Sequence, residues 1–201
     1  MARTKEFELE KVKQAAFYYF VENKEEANVL KIAERAGMTR TQLQNHYNID
    51  ALRGFAIDNA LNILTANIFK IFNKKEVELE VKLKLLVNHF MTQAKRHPNL
   101  NTFVRNEFER IDVDVLKILK QKTKEDLQPF IDEFEKQVDE GKFIDIKPLQ
   151  ALIHIMSLSS YPIIADRTIQ IATGTSAIYY AMILKQQRDE IVRFILKGLE
   201  K

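Results

Sequence analysis

Apolar residues recur along this chain at intervals of three and four, and strict alternation is scarce, so the pattern predicts helices almost throughout. The first is expected from about Lys5 to Val21, with Leu9, Val12, Ala16, Tyr19 and Phe20 as its buried stripe. Two short helices follow between Val29 and Tyr47. A long one from about Asn48 to Phe72 then carries Leu52, Phe55, Ala56, Leu61, Leu64, Ile68 and Phe72, and Asn73-Lys74-Lys75 ends it. The next is predicted over Glu76 to about Arg96, where His97-Pro98-Asn99 breaks the pattern, and a short helix over Leu100 to about Arg110 comes after. Val113 to Glu140 reads as a helix closed by Gly141, with a kink or break expected at Pro129. Pro148 opens a helix whose Leu149, Leu152, Ile153, Ile155, Met156, Leu158, Ile163 and Ile164 surround most of its circumference, which requires burial on two sides. The last helix, about Gln186 to Leu199, has Ile191, Val192, Ile195, Leu196 and Leu199 on one stripe and Phe194 on another. Asp166 to Ile183, between these two, is less regular and its breaks are not placed by the pattern.

The segment Val29 to Tyr47 has a distinct character. Val29, Ile32, Ala33 and Ala36 share one helix face, with Lys31, Glu34 and Arg35 outward. Gly37 then ends the helix, because only glycine takes a left-handed C-terminal conformation at negligible cost. Thr39 restarts the chain as an N-cap. The second helix has almost nothing apolar except Leu43 and Tyr47, one turn apart, which pin one face down. Its other face is Arg40, Thr41, Gln42, Gln44, Asn45 and His46. Amide, hydroxyl and cationic groups build no core, but they match the donors and acceptors of base edges and phosphates. This layout is that of a helix-turn-helix.

On these residues the chain resembles the tetracycline-repressor-like (TetR) family of bacterial regulators. The resemblance lies in Phe17 to Phe20, then Val29, Ile32-Ala33, Ala36-Gly37-Met38-Thr39, Leu43 and Tyr47, then the helix start Asn48-Ile49-Asp50-Ala51-Leu52. It covers roughly the first quarter of the chain in motif and the rest by architecture. The departures are specific. Glu22 to Glu26 holds no glycine where the family usually has one, leaving Asn23 as the candidate for a left-handed turn; Gln44 stands where the family favours a phosphate-binding tyrosine; Ile49 stands where it has a phosphate-binding lysine.

The resemblance implies an all-α fold, with a three-helix helix-turn-helix head over residues 1–49 and a helical ligand-binding and dimerisation body over 50–201. It implies a homodimer on a two-fold double-stranded DNA operator, most often a repressor, released by a small-molecule effector whose binding tilts the long helix and spoils the one-turn spacing of the heads. Arg40, Thr41, Gln44 and Asn45 are the expected base contacts, and Thr39, Gln42, His46 and Asn48 the expected phosphate contacts. Two C-terminal helices per subunit are expected to form a four-helix interface through Leu152, Met156, Ser160, Ile191, Ile195 and Leu199, where Ser157, Ser159 and Ser160 allow close approach. A second reading stays open on Gln44 and Ile49: a helical ligand-binding or protein-interaction domain whose head does not read DNA.

Composition narrows the alternatives. At 201 residues and 46% hydrophobic the chain is long enough for a full core. It has no cysteine, hence no disulfide framework, thiolate metal site or cysteine nucleophile, and a cytoplasmic location fits. No apolar run approaches a membrane span, and the N-terminus reads directly into a charged helix. The net charge of +3 mostly describes solvated faces, but within residues 29–56 Lys31, Arg35, Arg40 and Arg53 stand against only Glu34 and Asp50.

Phe90, Met91, Phe103, Phe108, Phe130, Phe134, His154 and Tyr161 are the candidate lining of an effector pocket, with plain core packing as the alternative. His89, His97 and His154 are not spaced i, i+4, and no metal site or cofactor is expected. Gly-x-Ser-x-Gly and His-Glu-x-x-His motifs are absent, and Ala172-Thr173-Gly174-Thr175 is too poor in glycine for a phosphate loop, so the chain reads as a non-enzyme.

Overall fold

A computed structural model describes residues 2–23, 28–110 and 113–201, with side chains described outside 2–7 and 113–122. Among the described residues the structure is all-α: α1 (Ala2–Phe17), α2 (Val29–Ala36), α3 (Arg40–Gln44), α4 (Ile49–Phe72), α5 (Leu79–Arg96), α6 (Leu100–Phe108), α7 (Val113–Asp139), α8 (Pro148–Ile164), α9 (Asp166–Thr173) and α10 (Ala177–Leu199). A π-helical turn over Tyr18–Glu22 extends α1. Most helices fall where the apolar spacing puts them, and the exceptions have identifiable causes.

Asn23 is extended (φ −84°, ψ 138°) rather than left-handed, because the widened π turn already takes its N–H onto the Tyr18 carbonyl at 2.8 Å. α7 runs through Pro129 without a break; Phe130 and Phe134 beyond it are fully buried, and that packing outweighs the lost backbone bond. The irregular stretch after α8 is two helices. Gly174 ends α9 in the left-handed region (φ 64°), and Ser176 caps α10 by accepting the N–H of Tyr179 at 3.3 Å. The last helix therefore begins at Ala177 instead of near Gln186.

The chain divides into two compact units, Met1–Thr65 with Asn99–Asp112, and Ala66–Pro98 with Val113–Lys201. In the first, Val12, Ala15, Ala16, Ile32, Ala33, Ala36, Leu43 and Leu52 form one buried cluster. Phe17, Val21, Ala56, Ala60, Leu100 and Phe103 form another. The unit thus extends past residue 49 and takes in α6, since Leu52, Ala56 and Ala60 lie on one face of α4 and are buried with the head helices. Polar contacts reinforce this: Arg53 donates to Glu107 at 3.3 Å, and the Asn99 amide donates to the Glu22 carbonyl at 3.4 Å.

In the second unit α5 packs most extensively on α8, with α7 and α10 completing the core. A run of aromatic rings holds its base: Phe72 stacks on Phe130 (centroids 4.6 Å apart), Phe130 meets Phe134 at 5.7 Å, and Phe134 meets Phe143 at 5.2 Å.

Candidate functional site

The helix-turn-helix forms from local chemistry. Asn28 caps α2 by accepting the N–H of Lys31 at 3.0 Å, and Gly37 ends it in the left-handed region (φ 75°), letting Met38 N–H bond back to Ala33 at 2.9 Å. Thr39 and Gln42 then make a reciprocal capping box: the Thr39 hydroxyl accepts the Gln42 N–H at 3.2 Å, and the Gln42 side chain accepts the Thr39 N–H at 2.8 Å. Leu43 is fully buried and Tyr47 half-buried, its ring 5.3 Å from that of Phe55. These two residues hold α3 down.

Arg40, Thr41, Gln44 and Asn45, and with them Thr39, Gln42, His46 and Asn48, are all exposed. Two refinements follow from the bonds they make. Gln42 commits one lone pair of its side-chain carbonyl to the capping box, while its NH2 group takes no part in it. Arg40 donates from Nε to Gln44 Oε1 at 3.2 Å, which links the two side chains and leaves the Gln44 NH2 group out of that bond. Asn48 caps α4, its side-chain oxygen accepting the N–H of Ala51 at 2.8 Å.

One cation of the local basic excess, Arg53, is charge-paired within the head. The Arg35 guanidinium sits 3.5 Å over the Tyr18 ring, and that of Arg53 is paired with Glu107 and lies 5.3 Å over Phe20. Both serve the head's own packing. Ile49 is half-buried against the head cluster, so its side chain belongs to the core margin.

The eight candidate pocket residues are divided between the two units. Phe90, Phe130 and Phe134 are buried in the core of the second unit with Met91 packed against them. Phe103 and Phe108 lie on α6 in the first unit, while His154 and Tyr161 are exposed on α8. Helical spacing identified apolar positions correctly but could not say which of them share a space.

The interface candidates divide in a similar way. Leu152, Ile191, Ile195 and Leu199 are buried in the core of their own chain, so this stripe does not form an outward face. Met156 is exposed and Ser160 half-buried. They belong to an outer stripe of α8, Leu149, Ile153, Met156, Ser160 and Ile164, whose four apolar members are exposed. On α10, Ile178, Tyr179, Met182, Ile183 and Phe194 are exposed as well, Phe194 at 68%. An exposed apolar set of this size needs an explanation. The stripe was legible as the i, i+4, i+7 series from Leu149; the more deeply apolar series beside it obscured it.

Among the described residues no cluster of His, Asp or Glu could hold a metal ion, and no helix is long and apolar enough to cross a membrane.

No protein-family model matches the sequence, and no curated protein matches it at a significant level. The fold does match solved structures. The transcriptional regulator FadR of Bacillus subtilis, in complex with stearoyl-CoA, is similar with a TM-score of 0.60 at 13% identity, over 94% of this chain and 98% of that one. A protein assigned to the TetR family of transcriptional regulators, from Mesorhizobium loti, is similar with a TM-score of 0.60 at 17% identity, over 99% of both chains. A transcriptional regulator from Cytophaga hutchinsonii has a TM-score of 0.58 at 14% identity, over 96% of this chain and 98% of that one. The chain has the all-α fold of TetR-type transcriptional regulators.

Proposed function

We propose that this protein is a ligand-responsive, TetR-type transcriptional regulator, acting as a homodimer on a two-fold DNA operator. The observation that carries this is the surface of α3: a capped helix held by one fully buried leucine that leaves Arg40, Thr41, Gln44 and Asn45 all exposed. A single-turn helix with no apolar outer face contributes little to stability, whereas its groups suit base edges, arginine favouring guanine and the amides adenine. Thr39, His46 and the Asn48 helix start flank it as phosphate contacts.

The dimer surface in this reading is the outer stripe of α8 with Tyr179, Met182, Ile183 and Phe194 of α10, an apolar face that a second copy would cover isologously. FadR of Bacillus subtilis, of similar fold, holds stearoyl-CoA, which supports a small-molecule effector in the body here. Release would follow from an effector-driven tilt of α4, which is continuous from Ile49 to Phe72. Repression is the expected sense of control.

The rival, a head that does not read DNA, draws on Ile49, which puts no donor at the start of α4. Selection from random duplexes decides between the two. Enrichment of a two-fold-symmetric sequence supports the regulator, and failure to enrich any such sequence leaves the rival.

A further inference from the structure

Residues 148 to 184 hold only two formally charged side chains, Asp166 and Arg167, in a chain that is 29% charged. The stretch is nevertheless open to solvent. Among the described residues every exposed large apolar side chain except Leu30 and Val81 lies on α8, α9 or α10. With about 150 Å² or more for each such side chain when fully exposed, they present on the order of 1,000 Å² of apolar surface. A monomer's largest apolar patch is about 300–600 Å², and each partner of a stable interface buries about 800 Å².

Within this stretch, α9 and the start of α10 are the least covered. α9 has eight residues, too few for a stable isolated helix, and none of them is buried. α10 then opens with Ala177-Ile178-Tyr179-Tyr180-Ala181-Met182-Ile183-Leu184, two turns with apolar residues on every side, a pattern that belongs to a helix buried all round. Only Tyr180 of these eight is buried in its own chain, where its hydroxyl donates to the Pro162 carbonyl at 2.7 Å. Ile171 on α9 and Ile178 on α10, 83% and 80% exposed, are the most exposed large apolar side chains described. At 3.6 residues per turn Tyr179, Ile183 and Phe194 share one side of α10, while Ile178 lies about 160° round from Phe194 and from Tyr180, with Met182 about 40° away from it. A flat seam through Phe194 therefore leaves the side of Ile178 in water.

We infer that α9 and the first two turns of α10 form an arm that a second copy of the chain encloses, burying Ile171, Ile178 and Met182 beyond the seam through Phe194. The inference rests on the homodimer proposed above and deepens it. A second copy fits because the arm continues along α10 from that seam, and because the centre of a protein interface is depleted of charge. A lipid surface fits less well, since a helix lying on a membrane carries Lys and Arg on its polar face, and residues 168 to 184 carry none.

The chain has no cysteine, so an introduced thiol is the only one present. Sedimentation of the full chain first establishes whether the wild type is a dimer. Ile178→Lys, checked for helical content by circular dichroism, is expected to weaken that dimer about a hundredfold. Ile178→Cys is expected to react with dithiobis(nitrobenzoate) at least about tenfold more slowly than Lys75→Cys, an exposed control, and to lose that protection on dilution to monomer. An Ile178→Lys variant that dimerises as the wild type does, or an Ile178→Cys thiol as reactive in the dimer as the control, overturns the arm and leaves the dimer standing. Protection that survives dissociation overturns it as well, because the arm is then covered by its own chain. An Ile178→Cys thiol that is free in the dimer but protected by phosphatidylcholine vesicles gives the arm to a lipid surface instead. A monomeric wild type removes the dimer and the arm together.

Discussion

Lys82 carries its ammonium into the interior, 2.5 Å from a carboxylate oxygen of Glu133 and 3.3 Å from the carbonyl of Phe72, the last residue of α4. The side chain of Lys82 is 3% exposed and that of Glu133 27%. A cation placed there satisfies an orphan carbonyl and the negative end of the α4 dipole as well as its ion-pair partner. One lysine therefore ties the beginning of α5 to the end of α4 and to α7.

Removing either partner alone is costly, because it strands the other in a medium of low polarity. Lys82→Met is expected to lose about 2–4 kcal/mol, and Glu133→Gln a comparable amount, while Lys82→Met with Glu133→Leu recovers most of the loss. Urea unfolding curves of the three variants measure this. Additive losses in the double variant would show that the pair is not coupled.

For assembly, adjacent residues of α10 make opposite predictions. Phe194 is 68% exposed and Ile195 7%. Phe194→Lys should leave the fold intact and dissociate the proposed dimer, since it puts an unpaired charge into the apolar face that a second copy would cover. Ile195→Lys should instead unfold the chain, at a cost of several kcal/mol or more for an unpaired ammonium in the core, of order 5 kcal/mol. Sedimentation with circular dichroism separates the two. A folded, dimeric Phe194→Lys variant would place the interface elsewhere.

How far the sequence was legible follows from the same pair. Spacing at three and four placed α2 to α6 within a few residues, because the breakers Gly37, Asn73 and Pro98 stand in plain view. It missed the start of α10, whose signals are a single cap, Ser176, and one glycine, Gly174, amid residues with no clear stripe. In the head the exposed polar face of α3 was legible because few apolar residues compete for position there. In the body, where apolar residues cover most of α8, period alone could not say which of two stripes faces the core. Nor could it show that Arg35 and Arg53, counted as cations for DNA, are occupied by Tyr18 and by Glu107 with Phe20. Those partners come from residues far off in the chain or on a neighbouring helix.

Alkaline pH should loosen the α8–α10 contact through Tyr180. Burial first, then the charge of Asp166 and the nearby Tyr161, raise its hydroxyl above the ordinary value of 10.0. Below that value both folded and unfolded chains hold the proton, and the Tyr180 contribution is fully present. As pH rises through the ordinary value the unfolded chain ionises first, so stability falls until the folded value is passed. Tyr180→Phe is expected to cost about 1 kcal/mol at neutral pH, from the lost bond to Pro162, and to flatten this alkaline decline. Urea midpoints from about pH 8 to about pH 11 test both, and an unchanged slope in Tyr180→Phe would assign the decline to other groups.

Within the head, Arg40 and Gln44 are joined by a hydrogen bond at 3.2 Å, so in the proposed regulator they should act on DNA as a unit. Arg40→Ala should weaken operator binding by about 1–3 kcal/mol and relax the preference at one base pair per half-site. Gln44→Ala should then add less in the Arg40→Ala background than alone. Gel-shift titrations against single-base operator variants measure the relaxation. A uniform loss across all sequences would reassign Arg40 to a phosphate.

The last prediction concerns Ile49, the first residue of α4, half-buried against the head cluster. The α4 start already turns backbone N–H groups outward, and the dipole there favours an anion such as a phosphate. Isoleucine adds no donor, and Asp50 beside it brings a negative charge. In Ile49→Lys the aliphatic stem can keep part of the contact with the head while the ammonium reaches solvent, so the stability loss should stay near about 1 kcal/mol. DNA affinity should rise by about 1 kcal/mol, nearly equally for operator and unrelated duplex, and the slope of log affinity against log salt should steepen by about one unit. Titrations at several salt concentrations read both quantities. If affinity and slope are unchanged while the variant stays folded, the start of α4 does not face the DNA backbone, and the reading head sits on its operator in some other orientation.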